Sequence, residues 1–220
     1  MKKIVGSLSL TILLLPAIVD ASPITFAFTG MVSQDPLLDP ADPFGGSIAF
    51  GTLFSGSYVF ESTTPDGDPS ANGGSYTSAG GTLSVTVGGN PFSASDLLNI
   101  GVGNNFAGSD FYTVFARNTS GADPFDLSLT FQDLQGLVFG GALLPTDAPS
   151  FAAFELATLF FTGTVGGNQV QIDGQLTSLT CVAGCVPGGG TGTAVVPEPA
   201  TFALLSAGLA ALYLRRRARR

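Results

Sequence analysis

Histidine and tryptophan are both absent from the 220-residue chain. Without histidine the chain cannot form a Ser-His-Asp triad or a Cys-His pair, and most kinds of zinc site are excluded. The sequence also has no Gly-x-Ser-x-Gly nucleophile motif and no phosphate-binding P-loop. Carboxylate chemistry is the remaining catalytic option, and we expect that the protein is not an enzyme.

Glu61 and Glu155 are the candidate acids for that remaining chemistry. A glycosidase needs two carboxylates that face each other across a cleft, one of them with a raised pKa. Nothing in the sequence brings these two residues together, and without tryptophan the surfaces on which sugars could stack are few. A glycosidase is therefore the least favoured of the functions considered.

Basic residues are almost absent between the two ends of the chain. Seven of the eight lysines and arginines lie in the terminal segments, so Arg117 stands alone against 14 acidic residues and the body carries about −13. Nucleic acid and anionic lipid are not expected as partners, because phosphate binding requires lysine or arginine. Negative charge keeps an exported protein soluble and leaves cations, neutral glycans or basic surfaces as partners.

Cysteine occurs twice, at Cys181 and Cys185. Outside the cytoplasm, two cysteines so close in sequence are expected to form a disulfide around a small loop. Such a short loop restricts the unfolded chain only slightly, so the bond would serve to tie down the last strand. Metal binding and intermolecular pairing are the alternatives.

Residues 1–21 have the organisation of a secretory signal peptide. Lys2 and Lys3 precede an uncharged run over 4–19, and Ala21 is a small residue placed before a cut at Ser22. A retained N-terminal anchor is the alternative.

Residues 197–220 form a second processing segment. An uncharged run rich in Ala and Leu follows the two prolines, and we predict a helix over 200–214. At 1.5 Å per residue this helix spans about 22 Å, which is shorter than the roughly 30 Å core of a bilayer. Arginines after the helix can snorkel, and they place its C-terminal end in the cytoplasm. The terminal basic cluster consists of Arg215, Arg216, Arg217, Arg219 and Arg220.

The sequence Val196-Pro197-Glu198-Pro199, the apolar run and the arginine cluster together resemble the PEP-CTERM sorting signal of Gram-negative bacteria. The resemblance implies recognition by exosortase, a membrane cysteine transpeptidase, cleavage near the Pro-Glu-Pro triplet, and delivery to the cell surface or extracellular polymer. An ordinary C-terminal anchor or a buried helix with a basic tail is the alternative.

Residues 187–196, rich in Gly and Thr, are predicted to be a flexible linker.

Residues 22–186 are predicted to form one all-β body. Apolar residues alternate with Thr, Ser and other polar residues, which is typical of half-buried strands, and the body resembles a recurrent all-β type among proteins with this signal. The segment 151–165 is more continuously apolar, and is either a central strand or a bent pair. The other strands are predicted around 24–29, 53–61, 82–87, 111–117, 125–131 and 169–173.

The turns favour an antiparallel arrangement of these strands. Val-Gly-Gly-Asn occurs at 87–90 and again at 165–168, and Gly-Gly turns suit tight hairpins because glycine accepts positive φ. We therefore predict an antiparallel β-sandwich or jelly-roll-like body, flanked by the N-terminal signal peptide and the C-terminal hydrophobic sorting helix.

Asp66, Asp68 and Asn72 place oxygen ligands in a loop rich in Gly and Pro. Calcium prefers six to eight such oxygens. The loop lacks the third acidic pair and the final glutamate of an EF-hand, so we favour an ordinary acidic turn with calcium as the alternative. No other cofactor is expected.

Together these features predict an exported, non-enzymatic protein with a structural or adhesive role in the cell envelope, at the cell surface or outside the cell. Its expected partners are an exosortase-type membrane transpeptidase, an exopolysaccharide, and the membrane through the C-terminal helix before processing. A glycan- or ligand-binding module, calcium-dependent or not, is the alternative. An ice-binding protein is less favoured, because it needs a flat array of regularly spaced threonines and Thr-x-Thr is only scattered here.

Overall fold

The computed structural model describes residues 22–68, 70–78 and 80–186, which form β-strands joined by turns and a single 3₁₀ turn at Phe151–Ala153. The predicted all-β class is confirmed for this part of the chain. The predicted signal peptide, linker and sorting helix lie outside the described residues. The strands are β1 Pro23–Val32, β2 Leu37–Asp39, β3 Leu53–Glu61, β4 Gly73–Ser78, β5 Thr82–Val87, β6 Asn90–Ala94, β7 Leu97–Phe106, β8 Ser109–Asn118, β9 Phe125–Asp133, β10 Leu156–Val165 and β11 Asn168–Ala183.

All strand pairs are antiparallel, and they form one continuous sheet in the order β4-β7-β8-β9-β10-β11-β1-β3-β5-β6, with β2 on β11. The sheet curls until β5 and β6 contact β7, β8 and β9. The two layers expected for a sandwich are therefore two halves of a single sheet. The pairing of β1 with β11 contains two register shifts, and β-bulges of this kind bend a strand and increase its twist.

Both predicted hairpins are present. Val87 pairs with Asn90 between β5 and β6, and Val165 pairs with Asn168 between β10 and β11. The two glycines of each turn have positive φ, from 55° to 85°, a backbone conformation that side chains other than glycine rarely adopt.

Phenylalanine and tyrosine rings from both halves meet in the core. Phe26 of β1 lies edge-on to Phe60 of β3 at a ring-centroid distance of 5.5 Å. Phe92 of β6 meets Phe161 of β10 at 4.7 Å across the curl. Tilted and edge-to-face pairs of this kind add to the apolar area that the rings bury, so the aromatic core holds the curl closed.

Two strand glycines make room for the ring of Phe54. A Cβ atom at Gly30 would lie 2.3 Å from Phe54 Cζ, and one at Gly174 would lie 2.4 Å from Phe54 Cε1. Phe54 is buried, so the close approach of backbone and ring depends on these glycines.

The apolar segment 151–165 contains one central strand. β10 begins only at Leu156, because a 3₁₀ turn occupies the start of the segment. The rings of Phe151 and Phe154 pack against Phe131 there, at 6.4 and 5.5 Å between ring centroids. Strands β4 and β7 are not among the predicted strands. In β7 the alternation of Leu98, Ile100 and Val102 was a usable signal, whereas β4 has two glycines and only Tyr76 as a large apolar side chain.

Candidate functional site

The two cysteines lie at the end of the body. Cys181 is in β11, opposite Phe26 of β1, and it is paired in a disulfide with Cys185, at 6.3 Å between Cα atoms. The loop between them contains Gly184 at a φ of 74°, and the N–H of Val186 donates to the carbonyl of Thr146. The bond therefore closes a small loop from which the chain continues toward residue 187.

Asp147 lies beside these cysteines. Its carboxylate and the two sulfur atoms are all within 4.8 Å of one another, which is close enough for three ligands of one metal ion. A metal requires thiolates, and the disulfide uses both sulfur atoms. Metal binding would therefore require that the pair first be reduced.

The acidic loop is organised by hydrogen bonds of its own. Asp66 Oδ1 accepts the N–H of Asp68 and the N–H of Ser75, both at 2.9 Å, and Asp66 Oδ2 accepts the Tyr76 hydroxyl at 3.5 Å. Asp68 Oδ1 accepts the N–H of Ser70. The Asn72 carbonyl accepts the N–H of Asn104 in β7. The carboxylates of Asp66 and Asp68 and the backbone of Asn72 thus have protein partners that shape the loop and attach it to β4 and β7.

Glu61 and Glu155 are not brought together. Glu61 ends β3 and Glu155 precedes β10, with β1 and β11 between those strands. Three strand spacings amount to about 14 Å, more than the 5–10 Å or so that separates glycosidase carboxylates. Glu155 accepts hydrogen bonds from the N–H of Leu134 and the side chain of Gln135, so it is used in holding a loop.

A shallow groove of about 400 Å³ crosses the ends of β8, β9 and β10 on the outer face of the sheet. Arg117 donates to Asp126 through two bonds, Nε to Oδ1 at 2.7 Å and Nη2 to Oδ2 at 2.9 Å. The hydrogen bonds to Asp126 and the negative charge of Asp126 raise the pKa of Arg117. The guanidinium carbon also lies 5.4 Å from the ring centroid of Phe115, a cation–π contact. The other polar residues of the lining are Asn118, Thr119, Thr162, Thr164 and Gln169.

The strand register extends this pair into a row. Arg117, Asp126, Thr162 and Gln171 lie directly opposite one another across β8, β9, β10 and β11, and we call them the polar row. A second row lies two residues away from the polar row on each strand. It contains Phe115, Ser128, Phe160 and Asp173, and we call it the aromatic row. Residues paired in this way share one face of the sheet. These side chains alternate with buried ones, so both rows face outward.

A third outward row places Thr113, Thr130 and Thr158 side by side on β8, β9 and β10. The sequence could not indicate this alignment, because the three threonines belong to different strands. Gln175 follows them on β11, and the rings of Phe115 and Phe160 project in the neighbouring row. The threonine array therefore covers three strands, with Gln175 beyond it on β11 and Gly101 beyond it on β7.

Two buried carboxylates were not predicted from the sequence. Asp110 and Asp133 are paired across β8 and β9, and both are almost fully buried. Asp110 accepts the N–H groups of Asn105 and Phe139, each at 2.6 Å. The N–H of Leu137, at 2.6 Å, contributes most to holding the pKa of Asp133 below its usual range. These carboxylates fold the loop after β9, and the only sequence signal was an acidic residue at each strand end.

The family model of the PEP-CTERM protein-sorting motif matches residues 195–217. The chain carries a PEP-CTERM sorting motif. The match includes Val196, Pro197, Glu198 and Pro199 and the first three residues of the arginine cluster, so the resemblance to the PEP-CTERM sorting signal is confirmed. No curated protein and no solved structure matches the chain.

The PEP-CTERM motif supports export and sorting to the cell envelope by an exosortase system. Its residues lie outside the described part of the chain, as does Ala21 of the predicted signal cleavage. Ser22 begins the described body, is exposed, and its N–H donates to the Ser62 hydroxyl at 3.3 Å. Within the described residues, no helix is long and apolar enough to cross a membrane.

Proposed function

We propose that this chain is an exported protein with a structural or adhesive role at the cell surface or in the extracellular polysaccharide of a Gram-negative bacterium. The observation that carries the proposal is the PEP-CTERM motif at residues 195–217, which follows an all-β body. In this proposal the motif delivers the body and the body performs the role after delivery.

We further propose that the body is not a catalyst and needs no cofactor. The chain has no histidine, and the strands β1 and β11 separate β3, which ends at Glu61, from β10, which Glu155 precedes. The two buried aspartates, Asp110 and Asp133, are occupied by backbone N–H groups. An acidic body of about −13 also repels its own copies, which favours a dispersed component of a hydrated matrix.

A glycan-binding role is the second candidate. The observation in its favour is the groove at Arg117 and Asp126, where charged and hydroxyl side chains lie beside aromatic rings on an open sheet face. Ligand sites combine apolar surface with a few convergent polar groups in this way.

Delivery is tested by fractionating producing cells that express the full chain, a chain lacking 195–220, or the variant Glu198→Ala. We expect the full chain on the surface, with residues 1–21 and the arginine cluster removed, as intact-mass measurement would establish. The two altered chains should be retained in the cell. Glu155→Ala, an exposed glutamate of the body, is the matched control and should be sorted normally. Surface protein that still carries Arg215–Arg220 would contradict exosortase sorting.

The role after delivery is tested by deleting the gene. We expect the deletion strain to lose cell-to-cell adhesion or to retain less extracellular polysaccharide, and the full chain to restore it. Complementation by the chain lacking 195–220 should fail. Unchanged adhesion and polysaccharide retention in the deletion strain would remove the structural or adhesive proposal.

A further inference from the structure

We propose that the polar row and the aromatic row on the outer face of β8–β11 bind a neutral polysaccharide. This deepens the proposed function, because it gives the exported body a ligand and a binding face. Binding is a property of the folded body, so it can be measured wherever the protein is delivered.

The polar row presents hydrogen-bonding groups suited to sugar hydroxyls. Arg117 uses Nε and Nη2 to hold Asp126, which leaves about three of its five N–H donors available. The Asp126 oxygens keep further lone pairs, and 30% of its side chain is exposed. The donors of Arg117 therefore lie beside the acceptors of Asp126. Together they can bind two neighbouring hydroxyls of one sugar ring, of which one accepts a hydrogen bond from Arg117 and the other donates one to Asp126.

The hydroxyls at the end of β10 continue this surface. Thr162 lies next to Asp126 in register, and Thr164 lies two residues farther along β10. The Gln169 amide donates to the Thr164 hydroxyl at 3.0 Å. This hydrogen bond holds the Thr164 oxygen in place, while the Thr162 hydroxyl remains able both to donate and to accept.

The aromatic row supplies the apolar part of the site. Phe115 and Phe160 lie two strands apart, about 10 Å from each other across the sheet, and the small side chain of Ser128 lies between them. Phe160 is 37% exposed. The guanidinium of Arg117 holds the ring of Phe115. Sugar rings have apolar faces, and two rings with a depression between them give a chain of sugars successive contacts.

The charges favour a neutral ligand over an anionic one. Arg117 is the only basic residue of the body, and Asp126 already neutralises it. The aromatic row ends in a carboxylate, Asp173, which accepts hydrogen bonds from the side chains of Gln34 and Gln171. The negative charge of the body would repel a uronic-acid polymer, and the body has no unpaired basic side chain to bind it. A neutral polymer is not repelled in this way.

Affinity electrophoresis of the protein purified from cells that express the full chain, from whichever fraction contains it, tests the proposal. The native gels contain hydroxyethylcellulose, xylan, galactomannan or dextran as neutral probes and polygalacturonate as the anionic probe. We expect at least one neutral polymer to slow the protein, equally at low and high salt and with or without a chelator, and polygalacturonate not to slow it. Insensitivity to salt is expected because screening weakens only interactions between charges.

Variants in the two rows locate the site. Arg117→Gln should weaken binding about tenfold, the usual effect of losing one hydrogen bond from a charged group. Phe160→Ser and Thr162→Val should also weaken it. The matched controls are Phe106→Ser, an exposed phenylalanine at the β7–β8 turn, and Thr86→Val, an exposed threonine on β5. Both controls should bind as the unaltered protein does, and far-ultraviolet circular dichroism checks that each variant is folded.

Three results would overturn the proposal: no retardation by any neutral polymer, stronger retardation by polygalacturonate, or equal loss in the control and row variants. These outcomes are distinct from a failure of the proposed function. Protein that binds a neutral polymer but is not found at the surface would contradict the export role alone, and surface protein that binds none would contradict the binding face alone.

Discussion

The hydroxyl of Tyr58 in β3 donates a 3.0 Å hydrogen bond to the hydroxyl of Tyr112 in β8, and both side chains are fully buried. Four strands, β9, β10, β11 and β1, lie between β3 and β8 along the sheet. The bond therefore joins two distant parts of one sheet where they meet face to face. It is a polar contact within a phenylalanine-rich core. Unlike the apolar contacts around it, a hydrogen bond requires a particular orientation of its donor and acceptor.

Replacing either tyrosine with phenylalanine should destabilise the body. Tyr58→Phe and Tyr112→Phe should each lower the free energy of unfolding by about 1 kcal/mol, because one buried hydroxyl is left without a partner. The double variant should cost no more than either single one, since it removes both hydroxyls together. Urea unfolding of the four proteins measures the coupling, and strictly additive losses would contradict the hydrogen bond.

Stability should fall in alkaline solution. Burial raises the pKa of Tyr58 and Tyr112, and burial with the nearby Asp66 charge raises the pKa of Tyr76 to about 12. An unfolded tyrosine ionises near pH 10, so above about that pH the unfolded chain releases protons that the folded chain keeps. Stability present below pH 10 is therefore lost as the pH rises toward the raised values.

The body has no lysine and no tyrosines other than these three. A loss of stability at about pH 10 and above can therefore be assigned to the three tyrosines. Urea midpoints between about pH 8 and pH 12 should decline in the unaltered protein, and they should decline less steeply when Tyr58 and Tyr112 are both replaced with phenylalanine. An equally steep decline in that double variant would assign the alkaline transition to another cause.

Local patterns in the sequence predicted much of the fold. The alternation in β1, β3, β5 and β9 and the repeated Val-Gly-Gly-Asn turn depend on neighbouring residues, and the structure agrees with them. The single curled sheet was not predictable in the same way. It depends on register between strands far apart in sequence, such as β1 with β11, and no local pattern encodes that pairing.

The same distinction applies to the candidate sites. The PEP-CTERM motif is contiguous in sequence, so it was predicted and matched. Arg117, Asp126 and Thr162 come from three strands, and only the register places them in one row. The role of Asp110 was not predictable either, because its partner, the N–H of Phe139, lies in a loop 29 residues away.

Gly174→Ala should destabilise the body by about 1–3 kcal/mol, the usual cost of overpacking a core. The added Cβ would overlap the buried ring of Phe54, which also packs closely against Gly30. Gly141→Ala is the matched control, since nothing lies within 4 Å of a Cβ there and its φ is not positive. Thermal unfolding compares the two variants. Equal effects on the melting temperature would show that the contact with Phe54 is not what requires glycine.

Cys181 and Cys185 should be oxidised to each other in the exported protein. Both cysteines lie in one peptide whether or not they are bonded, so mapping without reductant should find that peptide lighter by two hydrogen atoms than after reduction. A quantitative yield of free thiols in freshly isolated protein would contradict this. Cys181→Ser should cost little stability, because closing so short a loop restricts the unfolded chain only slightly. If zinc added after reduction raised the melting temperature, Asp147 and the two thiolates would act as a metal site instead.

Calcium should leave the melting temperature unchanged between chelator and a millimolar concentration of the ion. Asp66, the central residue of the acidic loop, already accepts the N–H groups of Asp68 and Ser75. Asp66→Ala should therefore lower the melting temperature by the same amount with and without calcium. Asp42→Ala is the matched control, because its carboxylate accepts the N–H groups of Phe44 and Gly46 in a different loop.

An upward shift with calcium would contradict this expectation, since a ligand that binds only the folded state raises its stability by mass action. If Asp66→Ala abolished that shift and Asp42→Ala preserved it, the loop would be a calcium site. Asp66 would then have to exchange at least one backbone partner for the ion, because calcium needs six to eight oxygens. The N–H groups of Asp68 and Ser75 are the donors that could be released, and hydrogen exchange of the released group should accelerate when calcium binds.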